Sequence, residues 1–72
     1  MTTLSDRLIQ LKIEKKLMQK DIASDNHISL RAYQYYKRGD RLPDADVIIK
    51  LADYFEVSTD YLLGRSDDPT RH

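Results

Sequence analysis

Apolar residues near the start of the chain recur with a helical period of 3.6 residues and predict a helix from about Ser5 to Lys16. The apolar positions on this helix and its flanks are Leu4, Leu8, Ile9, Leu11, Ile13 and Leu17. A shorter helix is predicted to start at Met18 or Gln19 and to end at Asp25. Asn26 and His27 end it, because both side chains tolerate a left-handed backbone better than most.

Three further helices are marked by capping residues and glycines. Residues that favour the N-cap position precede each of them, namely Ser29, Asp44 and Ser58. The third helix is predicted to end at about Lys37, where Gly39 stops it, and Gly64 closes the fifth. The apolar positions of the last two helices are Val47, Ile48, Leu51, Ala52, Phe55, Tyr61, Leu62 and Leu63. Because no segment alternates strictly, the pattern predicts an all-α, compact five-helix bundle.

The length of 72 residues and the mass of 8.5 kDa allow one small domain. We assign residues 1–65 to this domain and expect 66–72 to form a flexible C-terminal tail, because no apolar side chain anchors it. No aliphatic run approaches the roughly 20 residues of a membrane span. Asp6 and Arg7 interrupt the region where a signal peptide would be apolar. We therefore expect a cytoplasmic protein that does not associate with membranes.

The composition argues against several kinds of chemistry. The chain has no cysteine and two histidines, so we expect no disulfide, no metal site and no cofactor. The Asp67–Asp68 pair lacks the convergent oxygen ligands of a calcium or magnesium site. No nucleophile–base pair and no glycine-rich phosphate loop is visible, and a domain of this size has little room for a deep pocket. We expect that the protein is not an enzyme.

Charge is unevenly distributed, although 12 basic residues balance 12 acidic ones. Residues 1–43 contain nine basic and five acidic residues, whereas residues 44–72 contain three basic and seven acidic ones. The two parts therefore differ in net charge, +4 against −4. This asymmetry favours a basic face that meets a polyanionic partner.

The spacing of the second and third helices is typical of a helix-turn-helix, whose second helix lies in the DNA major groove. Only three or four residues separate the helices, the small Ala23 suits their close contact, and Ile28 suits the turn. On the third helix, Tyr33 and Tyr36 are predicted to face inward. The outward positions are Leu30, Arg31, Gln34 and Tyr35. Arg pairs with guanine, Gln with adenine and apolar groups with the thymine methyl, so this face suits base reading.

An ordered set of segments resembles the lambda-repressor-like Cro/CI (XRE) helix-turn-helix family. The segments are Gln19–Ala23, Ile28–Ser29, Tyr36–Gly39, Leu42–Pro43 and Val57–Pro69. The resemblance covers about residues 4–69. It implies the five-helix fold and a sequence-specific DNA-binding transcriptional regulator, most simply a repressor that binds a palindromic operator as a homodimer.

The resemblance also implies a set of DNA contacts. The base-reading positions are Ser29, Leu30, Arg31, Gln34 and Tyr35. The positions that contact backbone phosphates are Gln19, Lys37, Arg38 and Arg41. In the family, the residue matching Gln19 also braces the recognition helix.

The sequence departs from the family pattern at several positions. Met18 stands where the family usually has a Ser or Thr cap, so the second helix lacks a capping side chain. Lys12 and Lys37 occupy the positions of a common Arg–Glu pair, which therefore cannot form. Tyr33 replaces a small β-branched residue, and we hypothesise that its ring fills the space left by a missing Leu at position 26.

The sequence leaves alternatives open for the surfaces that bind partner proteins. A dimer face on the fourth and fifth helices has Tyr54, Tyr61 and Leu62 as candidates, although Tyr61 or Leu62 could instead complete the core of the monomer. An antirepressor protein is a candidate partner for Tyr35 and the third helix. The alternative function is a protein-interaction module, such as an antitoxin or a regulator-binding protein, that uses the same bundle.

Overall fold

The computed structural model describes residues 2–70, and within this range it contains five α-helices and no strand. In chain order they are α1 (Leu4–Glu14), α2 (Gln19–Asp25), α3 (Leu30–Arg38), α4 (Ala45–Phe55) and α5 (Thr59–Leu62). The all-α, five-helix prediction is confirmed. None of these helices combines the length and the apolar character that crossing a bilayer requires.

The helix starts follow the predicted capping residues. The side chains of Ser29, Asp44 and Ser58 each accept a hydrogen bond from the backbone amide three residues later, at 3.0 Å. Thr3 and Asp6 form a reciprocal capping box at α1, which therefore starts at Leu4 rather than Ser5. Met18 makes no side-chain hydrogen bond at the start of α2, as its identity predicts.

All five helices end in the same hydrogen-bonded turn, in which one residue adopts a left-handed backbone. These residues are Lys16, His27, Gly39, Glu56 and Gly64. Gly39 and Gly64 act as predicted. At the end of α2 only His27 is left-handed (φ 58°), whereas Asn26 has φ −100°. The turn at Lys15 and Lys16 ends α1 at Glu14, two residues earlier than the periodicity predicts.

The core takes side chains from every helix, and the most deeply buried are Leu8, Leu11, Ile22, Tyr33, Leu51, Phe55 and Leu62. Two of the apolar positions on α1 lie outside the core, because Ile9 and Ile13 are 43% and 67% exposed. The buried face of α1 instead follows the spacing of Leu4, Arg7, Leu8 and Leu11.

The burial of Tyr61 and Leu62 corrects two of the predicted dimer contacts. Leu62 is fully buried within the single chain, and Tyr61 is nearly so. Both complete the monomer core, which is the alternative that the sequence left open. They are therefore not available to a second copy. Tyr54 retains partial exposure.

A buried arginine joins α1 to α5 and to the segment after it. The Nε of Arg7 donates to the carbonyl oxygen of Tyr61 at 2.8 Å, and Nη2 donates to the carbonyl oxygen of Ser66 at 3.0 Å and to Asp67 at 3.2 Å. The amide of Ser58 also donates to the carbonyl oxygen of Pro69 at 3.0 Å. Much of the predicted tail therefore contacts the bundle. Its flexibility stays a prediction, and residues 71 and 72 lie outside the described residues.

Candidate nucleic-acid interface

The turn between α2 and α3 has the close packing expected of a helix-turn-helix. The amides of His27 and Ile28 donate to the carbonyl oxygens of Ser24 and Ala23, at 3.1 and 3.0 Å. Ala23 is buried, and Ile28 packs against the core. The side chain of Asn26 is buried and donates to the carbonyl oxygen of Ile22 at 2.8 Å. These contacts fix the direction in which α3 leaves the turn.

Helix α3 presents the two faces that its sequence predicts. Tyr33 is fully buried, and Tyr36 packs partly buried against the core. On the other side, Leu30 and Arg31 are exposed, while Gln34 and Tyr35 are half-buried. A polar and partly apolar surface therefore remains open along α3.

Ser29 combines two roles at the start of α3. Its hydroxyl oxygen accepts the amide hydrogen of Ala32 at 3.0 Å, which caps the helix. The residue is exposed, and its hydroxyl hydrogen can still be donated outward, because a serine hydroxyl is both donor and acceptor. Capping therefore does not prevent contact with a base or a phosphate.

Basic side chains gather around Tyr35 toward the C-terminal end of α3. The guanidinium carbons of Arg38 and Arg41 lie 5.4 and 4.9 Å from the centroid of the Tyr35 ring. These distances are within the range of cation–π attraction. The Nε of Arg38 also pairs with Asp40 at 3.1 Å, with both side chains more than half exposed. An ion pair this exposed contributes little and can be exchanged for a phosphate.

Lys37 lies in the last turn of α3, where a cation interacts favourably with the helix dipole. Its backbone carbonyl accepts a hydrogen bond from the hydroxyl of Ser5, so the start of α1 holds the end of α3 in place. The resemblance assigns phosphate contacts to Lys37, Arg38 and Arg41. All three lie within residues 37–41, where the hydrogen bond from Ser5 holds the end of α3.

A hollow opens between the start of α2 and the start of α3. We refer to it as the α2–α3 hollow; its volume is about 310 Å³, and its lining residues are Lys12, Met18, Gln19, Lys20, Leu30 and Gln34. It brings Gln19 beside two predicted base-reading positions, Leu30 and Gln34. The Oε1 atom of Gln19 is buried and has no hydrogen-bond partner among the described residues. Gln19 therefore lies beside the start of α3 with an unused acceptor, and its bracing role stays a prediction.

Sequence reasoning missed three structural roles. Arg7 was counted only among the basic residues, yet it is buried, and its place on the face of Leu4, Leu8 and Leu11 could have revealed this. Met18 was recognised only as a missing cap, although it lines the α2–α3 hollow. The bond from the Tyr54 hydroxyl to Asp25 (2.8 Å) links α4 to α2 and left no signal in the sequence.

The hydroxyl of Tyr54 is held in its neutral form. Burial and the hydrogen bond to Asp25, together with the negative charges of Asp25 and Asp21, raise the pKa of Tyr54 to about 12. Residues 2–70 contain no cluster of three or more His, Cys, Asp or Glu side chains that could hold a metal ion.

Comparison with known proteins agrees with this geometry. The chain is 36% identical over 63 residues to an uncharacterised HTH-type transcriptional regulator, YobD, of Bacillus subtilis, covering 88% of this chain and 56% of that protein. It is 34% identical over 62 residues to the cryptic phage CTXphi transcriptional repressor RstR of Vibrio cholerae, covering 86% and 55%. The chain thus spans little more than half the length of these relatives.

Two solved structures share the fold. A transcriptional regulator from Listeria innocua superposes with a TM-score of 0.81 at 35% identity, covering 86% of this chain and 58% of that one. The P22 c2 repressor, crystallised with a synthetic operator, superposes with a TM-score of 0.85 at 20% identity, covering 92% and 100%. A model of the helix-turn-helix domain matches residues 6–67. The chain therefore belongs to the lambda-repressor-like (XRE-type) helix-turn-helix family.

Proposed function

We propose that the protein is a sequence-specific DNA-binding transcriptional regulator, and most simply a repressor. The observation that carries this proposal is the open face of α3, with exposed Leu30 and Arg31 beside half-buried Gln34 and Tyr35. Relatives named as transcriptional regulators and repressors, and the same fold in a repressor crystallised with its operator, support it.

In the proposed complex, α3 enters the major groove and its N-terminal half meets base edges. Arg31 suits guanine and Gln34 suits adenine, because each matches two groups on the base edge. Gln19, Lys37, Arg38 and Arg41 would contact phosphates on either side of the groove. Tyr35 would be positioned by the two guanidinium groups that lie over its ring.

We further propose that the protein binds as a homodimer. A two-fold dimer with recognition helices roughly 34–36 Å apart would match half-sites one helical turn apart on a palindromic operator. Tyr54 on α4 is the remaining candidate contact, since Tyr61 and Leu62 are buried in the monomer. An antirepressor that covered α3 would release the DNA. The predicted cytoplasmic location would allow the protein to reach DNA.

The first test is selection of bound sequences from a random duplex pool with the wild type and the Arg31→Ala variant. We expect a two-fold-symmetric site, and a loss of affinity in the variant of about 5- to 150-fold with relaxed preference at one base pair of each half-site. Arg65→Ala is the matched control, because Arg65 is an exposed arginine after α5. It should keep both the affinity and the preference.

The salt dependence of binding separates this function from the alternative of a protein-interaction module. A protein that contacts 6–10 phosphates should lose affinity by about 10³–10⁵-fold between 50 and 200 mM salt. A failure to enrich any duplex at low salt would contradict DNA binding and favour the interaction module.

A further inference from the structure

The α2–α3 hollow has an unusual lining for a surface that faces a polyanion. Two exposed apolar side chains border it, with Met18 57% and Leu30 42% exposed. It is open to solvent, and its volume of about 310 Å³ is many times the roughly 10–15 Å³ that one water molecule needs by the same measure. The hollow can therefore admit the edge of a base together with a substituent.

Helix capping does not account for Met18. It occupies the N-cap of α2, where Ser, Thr, Asp or Asn would accept an amide hydrogen bond, and it makes no such bond. Since more than half of the side chain is exposed, burial offsets little of the missing cap. A ligand that contacts the thioether side chain would explain its presence.

The surroundings of the hollow favour DNA as its occupant. Leu30 is the first residue of α3, and the N-terminal residues of a recognition helix contact base edges. Lys12 and Lys20 line the same hollow and supply positive charge for a polyanion. The hollow thus combines an apolar wall with a cationic border at the end of α3 that would lie deepest in the groove.

We propose that Met18 and Leu30 receive the 5-methyl group of a pyrimidine in the major groove. This inference rests on the proposed DNA binding. Among the groups that the four bases present in the major groove, the C5-methyl of thymine is the apolar one. 5-Methylcytosine carries the same methyl at the same ring position. Met18 is therefore a specificity-determining residue, and binding responds to the methylation state of one pyrimidine in each half-site.

The test uses the duplex selected by the wild-type protein. Each thymine is replaced in turn by uracil, which removes only the methyl, and each cytosine by 5-methylcytosine, which adds it. We expect the methyl to change affinity about fourfold at one symmetry-related position, equivalent to about 0.8 kcal/mol for one buried carbon group. A loss with uracil identifies thymine as the source of the methyl, and a gain with 5-methylcytosine shows that methylated cytosine is also accepted.

Two variants assign the effect to the hollow. Met18→Ser and Leu30→Ala should each reduce the methyl effect to less than about 1.5-fold. Met18→Ser supplies a capping hydroxyl, so the variant should remain folded, which an unfolding curve checks. Ile13→Ser is the matched control, because it removes a similarly exposed apolar side chain that does not line the hollow. It should keep the full methyl effect.

Different results would overturn the two proposals. If the wild type binds its selected duplex but no pyrimidine shows a methyl effect, the hollow does not read a methyl group. The same conclusion follows if the effect survives in Met18→Ser and Leu30→Ala, and a protein partner then becomes the better occupant. If no duplex is bound at low salt, DNA binding itself is refuted, and this inference is refuted with it.

Discussion

The α1–α5 junction and the α2–α3 hollow use polar groups in opposite ways. At the junction, the guanidinium of Arg7 is buried, bonded to two carbonyl oxygens and one carboxylate, and lies 3.8 Å from the centroid of the Tyr61 ring. At the hollow, apolar Met18 and Leu30 are exposed, and the Oε1 atom of Gln19 has no hydrogen-bond partner within residues 2–70. The hydrogen bonds of the first region are made within one chain, whereas the second leaves apolar surface and an acceptor open.

This difference separates stability from recognition. A buried polar group is favourable only when its hydrogen bonds are made, so the satisfied junction contributes to folding. A surface that binds a partner must leave groups unsatisfied or exposed until the partner arrives. Substitutions at the junction should therefore change the free energy of unfolding, and substitutions at the hollow should mainly change binding.

The largest expected effect comes from Arg7→Met. The variant leaves the carbonyl oxygens of Tyr61 and Ser66 without their donor, so the free energy of unfolding should fall by about 3 kcal/mol in a urea titration. Asp67→Asn is the control, since the Asp67 side chain is almost fully exposed. It should cost at most about 1 kcal/mol. Equal losses in the two variants would mean that the ion pair, rather than the carbonyl contacts, stabilises the junction.

A smaller effect of opposite sign is expected from Tyr33→Phe, on the inner face of α3. The Tyr33 hydroxyl is buried and has no partner among the described residues. Its removal should raise the free energy of unfolding by about 1 kcal/mol. The contrasting variant is Tyr54→Phe, which loses the bond to Asp25 and should lower it by about the same amount. A loss of stability in Tyr33→Phe would show that the hydroxyl is satisfied in solution.

The same tyrosine predicts a pH dependence. Burial raises the pKa of Tyr33 from 10.0 to about 12, so the folded state holds this proton more tightly than the unfolded state. This group leaves the free energy of unfolding unchanged with pH below about 10 and lowers it as the pH rises toward 12, because only the unfolded state then releases the proton. Tyr33→Phe should lose less stability over that interval than the wild type, as thermal unfolding at pH 9 and 11 would show.

The smallest effects are expected at the residues with a left-handed backbone that end the helices. Such residues occur near both regions. His27 lies in the turn before α3, and Glu56 precedes α5. Because an L-residue is strained in this conformation, His27→Gly and Glu56→Gly should each stabilise the protein by about 0.5–1 kcal/mol. The reverse change, Gly39→Ala, adds a Cβ that meets only the Cβ of Ser5 at 4.0 Å, so its cost should be of similar size. A loss of stability in either glycine variant would show that the side chain makes a compensating contact.

Local signals in the sequence predicted the helices and the face of α3 well. Ser29, Asp44 and Ser58 cap helices as expected, and the 3.6-residue period separated buried Tyr33 from exposed Arg31. Periodicity did not separate Ile9 and Ile13 from the buried leucines of α1, because two apolar stripes overlap there and only packing against the rest of the bundle selects one. The family resemblance supplied the site positions, which stay predictions until DNA binding is measured.

The sequence by itself determined where the helices begin and end to within two residues, because caps and left-handed turns depend on hydrogen bonds between residues only a few positions apart. Only the tertiary structure decided which side chains are buried and bonded within the chain and therefore stabilise its fold. Arg7 reaches carbonyl oxygens 54 and 59 residues away, and the same packing buries Tyr61 and Leu62. The hollow beside Met18 likewise exists only where α1, α2 and α3 meet. Such contacts depend on the packing of whole helices, and local patterns do not specify it.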